Sequence, residues 1–170
     1  MTTPKPAIQT IGFRFDHPLG PIHGWFSTRG LASLVLPREE DRPHHAKVTH
    51  SSVHEHRVSA LCAALERYFA GQPESFEAVP LDFGNGTPFQ QKVWNALRKI
   101  PWGHTATYGE ISELLGYGRR ASRAVGQAVG HNPLPIVVPC HRILACNGLG
   151  GFSAGLTWKR ELLRIEKITH

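Results

Sequence analysis

A cysteine and a histidine stand side by side in the apolar segment VPCHRI, residues 138–143. Cysteine reacts as a thiolate, and a nearby histidine can help to generate that form. Neighbouring side chains of an extended segment point to opposite faces, so His141 need not touch Cys140. For the imidazole to act on the thiol, a bridging water or a local bend would then be required. The spacing leaves open whether Cys140 is a nucleophile or a core cysteine beside a surface histidine.

A carboxylate further along the chain could orient such a histidine. The sequence predicts a helix over residues 157–166, in which Trp158, Leu162 and Glu166 follow one another at four-residue intervals. Glu166 therefore lies on the stripe that the two apolar residues bury. A buried carboxylate is costly unless it is paired, and His141 is a candidate partner. The alternative is that Glu166 is only a frayed helix end.

Metal binding is a weaker interpretation of the same residue types. Cys140 and Cys146 are six positions apart, and no second pair of ligands follows them, which argues against zinc. Several histidines of the polar segment 37–56 could bind a metal, but an exposed loop explains them better; they are His44, His45, His50, His54 and His56. We therefore predict no metal site.

The cysteine count and the N-terminus bear on the compartment. The three cysteines are an odd number without a C-x-x-C pair, which argues against a disulfide framework and favours a reducing, intracellular location. The first fifteen residues contain no apolar run long enough for a signal peptide or a membrane span.

Two short helices are predicted in the middle of the chain. Thr107 and Glu110 have the spacing of a capping box, and the helix that they begin would bury Ile111, Leu114 and Leu115. Glycines at 116 and 118 end it, and a second helix is predicted over 121–129. Such a pair is typical of a helix-turn-helix, although a plain helical hairpin would fit as well.

Basic residues cluster at the start of the second helix. Arg119 and Arg120 precede it, where free N–H groups also favour phosphate, and Arg123 is its one long charged side chain. The net charge of +6 and the sequence pI of about 9.6 fit a polyanionic partner such as nucleic acid, or a membrane surface. The alternative is that these arginines are merely solvated.

The first half of the chain predicts a small α+β unit, and the length of the chain suits one larger domain or two small ones. Strands are indicated within Ile8–Phe15 and Gly24–Leu36, and a helix over Val58–Phe69, with Cys62 on its buried face. Residues 72–88 are rich in proline and glycine and would link two parts. A helical pattern begins again at Thr87.

The segment around Cys140 resembles the PCHR signature of the O6-alkylguanine-DNA alkyltransferases, also called methylated-DNA–protein-cysteine methyltransferases. The resemblance extends in order over most of residues 85–166, and the N-terminal half matches only loosely. The matching segments are FQQKVW at 89–94, TYGE at 107–110, SRAVG at 122–126, NP at 132–133, PCHRI at 139–143, GFSAG at 151–155, KRELL at 159–163 and Glu166.

The resemblance implies a fold of two parts. Residues 1–84 would form a small ribonuclease-H-like α/β domain with a linker. Residues 85–170 would form a mainly helical, winged-helix-like domain that carries the helix-turn-helix and the active site. Family members place the second helix in the minor groove of double-stranded DNA and flip the damaged nucleotide out of the stack.

The resemblance also implies a role for each matching residue. Cys140 would accept the alkyl group, His141 would act on it through a water, and Glu166 would orient His141. Asn132 would brace the turn after the recognition helix, and Tyr108 would rotate the target phosphate and line the base pocket. Arg123 would fill the gap left by the flipped base; Arg119, Arg120, Ala121 and Ser122 would contact DNA, and Val138, Ser153 and Ala154 would complete the pocket.

The implied reaction is direct repair of O6-alkylguanine, and of O4-alkylthymine, by irreversible transfer of the alkyl group to Cys140. The protein would be consumed after one turnover and would need no cofactor, because the DNA is the alkyl donor. It would act as a monomer, with clustering on DNA left open. It would be cytoplasmic, or nuclear in a eukaryote. Some relatives have glycine at the position of Ala154, so the added methyl bears on the admission of bulky substituents.

Three other functions remain open from the sequence. A non-catalytic lesion binder on the same fold is possible in principle, but such relatives replace the cysteine. A cysteine hydrolase would use Cys140 and His141 and would leave the helix-turn-helix unexplained. A sequence-specific regulator would use the helix-turn-helix alone.

Overall fold

The computed structural model describes residues 11–37, 52–84 and 86–169. Its N-terminal half contains a three-stranded antiparallel sheet in the order β1-β2-β3, followed by helix α1. A four-residue turn separates β2 from β3, and Ser27 N donates to Gly30 O across it. The elements are β1 (Ile11–Phe15), β2 (Ile22–Phe26), β3 (Leu31–Val35) and α1 (Ser52–Phe69).

The C-terminal half is mainly helical. Both α2 and α3 begin with a complete capping box, formed by Thr87 with Gln90 and by Thr107 with Glu110, so the predicted start of α3 is confirmed. Two short strands, β4 and β5, pair in parallel beside them. The elements are α2 (Pro88–Leu97), β4 (Ala106–Thr107), α3 (Tyr108–Leu114), α4 (Ser122–Gly130), β5 (Ile143–Leu144) and α5 (Leu156–Ile165).

One hydrophobic cluster joins the two halves. It includes Phe26 of the sheet, Leu61 of α1, Leu97 of α2 and Leu162 of α5, all of them inaccessible to solvent. The apolar run at 134–138 belongs to the same cluster and supports the segment that leads to Cys140. In the part of the chain that the structure describes, no helix is both long enough and apolar enough to cross a membrane.

The structure corrects several local predictions. Helix α1 begins at Ser52, so residues 52–56 are helical and not part of a loop. Leu114 is 66% exposed, because the short α3 turns Ile111 and Ser112 inward instead, and Ser112 Oγ donates to Gly118 O. Cys62 is only partly buried at the edge of the core.

The start of the second helix also differs. Ala121 lies in a separate 3₁₀ turn, Arg119–Ala121, and α4 begins one residue later. The beginning of the strand predicted over Ile8–Phe15, and the histidines at 44, 45 and 50, lie outside the described residues. The domain boundary predicted between residues 84 and 85 stays a prediction.

Candidate active site

Cys140 begins a 3₁₀ turn, Cys140–Arg142, and is 4% exposed. The segment is therefore bent and not extended as predicted, and Cys140 N donates to Val138 O at 2.7 Å. Among the described residues, no hydrogen bond joins the His141 ring to Cys140 Sγ. The local bend that the sequence left open is therefore present, and it does not bring the two side chains into a hydrogen bond.

The backbone just before this turn is strained. Ile136 has a φ of 75°, in the left-handed region that a β-branched residue rarely adopts. Its side chain is 1% exposed, and Val138 N closes the turn by donating to Leu134 O at 2.8 Å. Such strain persists only where the surrounding packing enforces it, so the path of the chain into Cys140 is tightly determined.

Asn132 holds the thiol from the other side. Its Nδ2 donates to Cys140 Sγ at 3.0 Å and to Val138 O at 2.8 Å, while its Oδ1 accepts from Leu134 N at 3.0 Å. Because both ends of the amide are used, its orientation is fixed. Asn132 follows directly after the C-cap of α4, so the same residue connects the second helix of the pair to the thiol.

Burial dominates the protonation of Cys140. It raises the pKa of the thiol to about 11, and the hydrogen bond from Asn132, the charge of Lys159 and two backbone N–H groups act in the opposite direction. The resting group is therefore a thiol, and a reaction at sulfur needs an acceptor for its proton.

His141 and Glu166 form a fully buried pair. His141 Nε2 lies 2.7 Å from Glu166 Oε1, and neither side chain is accessible to solvent. Burial lowers the pKa of His141. Burial alone would raise the pKa of Glu166, but hydrogen bonds from His141 and Arg142 and their charge outweigh it and lower that pKa to about 2.

These protonation states define the imidazole tautomer. An ionised carboxylate can only accept, so Nε2 carries the hydrogen and donates it to Glu166. In the neutral ring Nδ1 is then the basic nitrogen, and it has no hydrogen-bond partner among the described protein atoms. The predicted pairing of Glu166 with His141 is present, and it leaves Nδ1 available to take a proton.

Arg142 belongs to this cluster although the sequence did not single it out. Its Nε donates to Glu166 Oε2 at 2.8 Å and its Nη2 to Oε1 at 2.9 Å, while Nη1 donates to Ile100 O. Gly103 N adds a further bond to Oε2 at 3.2 Å. An arginine within a run of apolar residues was the available signal, since such a charge must be paired when it is buried.

Lys159 is a second buried cation that the sequence analysis missed. Its Nζ donates to Ile143 O at 2.6 Å, to Leu149 O at 2.5 Å and to Gly151 O at 3.2 Å, which fastens the loop 149–151 to the strand after Cys140. Burial lowers its pKa to about 8. Lys159 lies three residues before Leu162 and four before Leu163, which places it on the apolar stripe of α5. This spacing was the sequence signal that its side chain is buried.

Of the residues predicted to line the substrate pocket, Tyr108 and Val138 lie next to Cys140: the charge of Cys140 acts on Tyr108, and Cys140 N donates to Val138 O. Tyr108 is half-buried, and burial together with the charge of a Cys140 thiolate raises its pKa. A Cβ at Gly150 would come within 3.3 Å of its hydroxyl oxygen. Val138 is fully buried, Ala154 is buried and Ser153 is exposed.

The residues predicted to bind DNA lie at the start of α4. Arg120 and Arg123 are exposed, Ala121 and Ser122 are half-buried, and Arg119 is exposed but paired with Glu113 at 2.8 Å. Within the described ranges, no group of three His, Cys, Asp or Glu side chains is placed to hold a metal ion. The site thus combines a buried thiol, a buried acid–base pair and an adjacent basic helix.

Comparisons with known proteins agree with this arrangement. Residues 14–83 match the family model described as 6-O-methylguanine DNA methyltransferase, ribonuclease-like domain, and residues 88–168 match its DNA binding domain. A methylated-DNA–protein-cysteine methyltransferase of Mycobacterium bovis is 43% identical over 157 residues, 89% of each chain. The chain belongs to the 6-O-methylguanine DNA methyltransferase family. A relative of the same name from Methanosarcina acetivorans is 41% identical over 154 residues, 89% of this chain and 95% of that one.

Solved structures of the family share the fold. The O6-methylguanine methyltransferase of Mycobacterium tuberculosis is 39% identical, with a TM-score of 0.79 over 94% of this chain and 93% of that one. The OGT of the same organism, in complex with DNA, gives a TM-score of 0.76 over 92% of each chain. The family and the fold class predicted from the sequence are confirmed, whereas the roles of individual residues stay predictions.

Proposed function

We propose that this protein repairs double-stranded DNA by moving the alkyl group of O6-alkylguanine onto Cys140. The observation that carries the proposal is the position of Cys140 Sγ, which accepts a hydrogen bond at 3.0 Å from Asn132. Asn132 follows the C-cap of α4, the helix that begins with the exposed arginines. Behind it, the buried His141–Glu166 pair supplies a base whose Nδ1 is available.

The reaction is a displacement at the alkyl carbon. A bond forms between Cys140 Sγ and that carbon, the bond from carbon to O6 breaks, and its electron pair stays on the guanine. The proton of the thiol passes to His141 Nδ1 through a water, since no hydrogen bond joins the two side chains. The guanine anion takes up one proton from solvent, and the imidazolium returns one to solvent, so the net reaction moves the thiol proton to guanine. The Tyr108 hydroxyl, which stays protonated because its pKa is raised, hydrogen-bonds the departing base.

The product explains why the protein is consumed. A thioether has no acyl carbon that water could attack, and the thiolate of Cys140 is a poor leaving group, so no simple nucleophile restores the thiol. Each molecule therefore repairs one lesion. No cofactor is required, because the DNA itself donates the alkyl group.

DNA binding follows from the position of the arginines. Helix α4 would enter the minor groove, with Arg119 and Arg120 on phosphates and with Ala121 and Ser122 near the backbone. Cys140 is nearly inaccessible, so the damaged base must leave the stack to reach it, at a cost of about a few kcal/mol. The exposed Arg123 would fill the space that the base leaves.

Several finer points belong to the same proposal. O4-alkylthymine is a further substrate, since it also presents an alkylated oxygen on a flipped base. The buried methyl of Ala154, together with Val138 and Ser153, limits the size of the alkyl group. The protein acts as a monomer within the cell, where a reducing environment keeps Cys140 a free thiol.

Intact-mass measurement tests the proposal. After incubation with DNA that contains O6-methylguanine, we expect one methyl group per protein molecule, located on Cys140 by peptide mapping. Cys140→Ser should abolish the transfer, while the matched variants Cys62→Ser and Cys146→Ser should retain it. Transfer that persists in Cys140→Ser, or multiple turnovers by the wild-type protein, would refute the proposal.

A further inference from the structure

A tyrosine from the N-terminal half reaches the buried acid–base pair. Tyr68 lies near the end of α1 and is fully buried. Its hydroxyl donates to Glu166 Oε1 at 3.0 Å and lies 3.3 Å from His141 Nε2. The N-terminal half thus contributes a polar group to the interior of the candidate active site.

Aromatic neighbours fix the position of this hydroxyl. The Tyr68 ring meets Trp102 edge-on with 5.2 Å between ring centroids, and it packs against Phe69 at 5.4 Å and Phe76 at 5.8 Å. The imidazole of His141 is nearly perpendicular to it at 6.4 Å. The phenol can therefore rotate little, and its oxygen stays beside the carboxylate.

The hydroxyl shares one carboxylate oxygen with the histidine. Glu166 Oε1 accepts from Tyr68, from His141 Nε2 at 2.7 Å and from Arg142 Nη2 at 2.9 Å. Burial and the charge of Glu166 raise the pKa of Tyr68, so the phenol stays protonated and can only donate to this oxygen. Each donor stabilises part of the same negative charge, so the hydrogen bond from the Tyr68 hydroxyl weakens the hydrogen bond that Glu166 accepts from His141 Nε2.

We propose that Tyr68 is a positioning residue for alkyl transfer, which holds Glu166 Oε1 in line with His141 Nε2 and tunes the basicity of His141. The inference rests on the proposed function. It gives the N-terminal half a part in the chemistry, through one hydrogen bond that spans the two halves of the chain.

The other charged side chains around His141 already have hydrogen-bond partners. Arg142, two residues from Cys140, is bound to Glu166, and Lys159 of α5 is bound to backbone carbonyls. Arg142 and Lys159 both lower the pKa of His141, and Glu166 raises it. Since Tyr68→Phe changes none of these charges, any shift in the titration of His141 reports on the lost hydroxyl.

The test measures single-turnover transfer as a function of pH. In Tyr68→Phe we expect a rate lower by about tenfold, as for a base that has lost part of its orientation. The acid limb of the pH–rate profile, set by His141, should move to higher pH because Glu166 attracts the imidazole proton more strongly. The slowing should be equal on duplex DNA and on the free O6-alkylguanine base, with unchanged affinity for DNA.

Ser27→Ala is the matched control. Ser27 is also buried in the N-terminal half, and its hydroxyl also donates to a carboxylate, that of Asp82, but it is not part of the cluster around His141. The Ser27→Ala substitution removes the same kind of hydrogen bond, and it should leave both the transfer rate and the acid limb of the pH–rate profile unchanged. An equal loss of rate in Ser27→Ala and Tyr68→Phe would overturn the inference, because stability alone would then explain both.

A second variant covers the case in which Tyr68→Phe does not fold. Tyr68→3-fluorotyrosine keeps the ring and makes the phenol a stronger donor, so the acid limb should move to lower pH. An unchanged profile in the folded variants overturns the inference even if the wild-type protein transfers alkyl groups normally. Absence of transfer by the wild-type protein would instead refute the proposed function, so the two failures are distinguishable.

Discussion

Glu166→Gln should destabilise the protein in a way that depends on pH. The Glu166 side chain is inaccessible to solvent and accepts hydrogen bonds from Tyr68, His141, Arg142 and Gly103. Glutamine has nearly the same shape but carries no charge. The substitution therefore removes the buried negative charge, and one accepting oxygen with it, at nearly constant packing.

The magnitude follows from the protonation equilibrium of the carboxyl. The pKa of Glu166 falls from 4.5 to about 2 on folding, and each tenfold change in the equilibrium corresponds to about 1.4 kcal/mol. The ionised form therefore contributes about 3 kcal/mol of stability at neutral pH. Because the pKa is depressed, this contribution is complete above pH 4.5 and is lost as the pH falls towards about 2.

Urea denaturation at a series of pH values provides the assay. The wild-type protein should exceed Glu166→Gln by about 3 kcal/mol at neutral pH, and the difference should shrink steadily below pH 4.5. Glu161→Gln is the control on the same helix, since its exposed pair with Arg164 is worth only about 0.5 kcal/mol. A difference that does not vary with pH, or one no larger than that of the control, would refute the electrostatic reasoning.

Three further predictions concern the thiol, its loop and the DNA. Asn132→Ala leaves Leu134 N without its partner and removes one of the two donors to Val138 O, so we expect a loss of about 1–3 kcal/mol in urea denaturation and slower alkyl transfer; full activity would contradict the role of the amide. Lys159→Met removes the ammonium that donates to three carbonyls, so thermal unfolding should occur at lower temperature and limited proteolysis should cut the loop 149–151 first; an intact loop would count against this role of Lys159. Arg123→Ala should slow transfer from duplex DNA more than from the free modified base, and equal slowing would exclude a role in flipping.

The sequence predicted most of the elements because their signals are local. The capping box of Thr107 with Glu110 and the apolar spacing in α2 and α5 each depend on residues a few positions apart. The burial of Leu114 was predicted wrongly, because a seven-residue helix has only about two turns and the spacing of its apolar residues does not define one buried face. The first turns of α1 are polar, so nothing distinguished them from a loop.

The chemistry of the site was only partly predictable. Glu166 could be matched with His141 because a carboxylate on a buried stripe requires a partner. The contact of Tyr68 with Glu166 joins residues 98 positions apart, and only the packing of α1 against the C-terminal half creates it. Tyr68 itself extends the buried stripe of Leu61 and Leu65, where a tyrosine would pass for an ordinary core residue.

The strained turn at Ile136 has a consequence for how this protein can vary. Its positive φ costs about 1–3 kcal/mol, and full burial of its side chain returns about 1.5–3 kcal/mol. Glycine would relieve the strain and forfeit the burial, whereas valine or leucine would keep most of the burial and the strain. None of these three substitutions therefore offers a clear gain in stability, and we expect residue 136 to change together with the neighbours that enforce the turn.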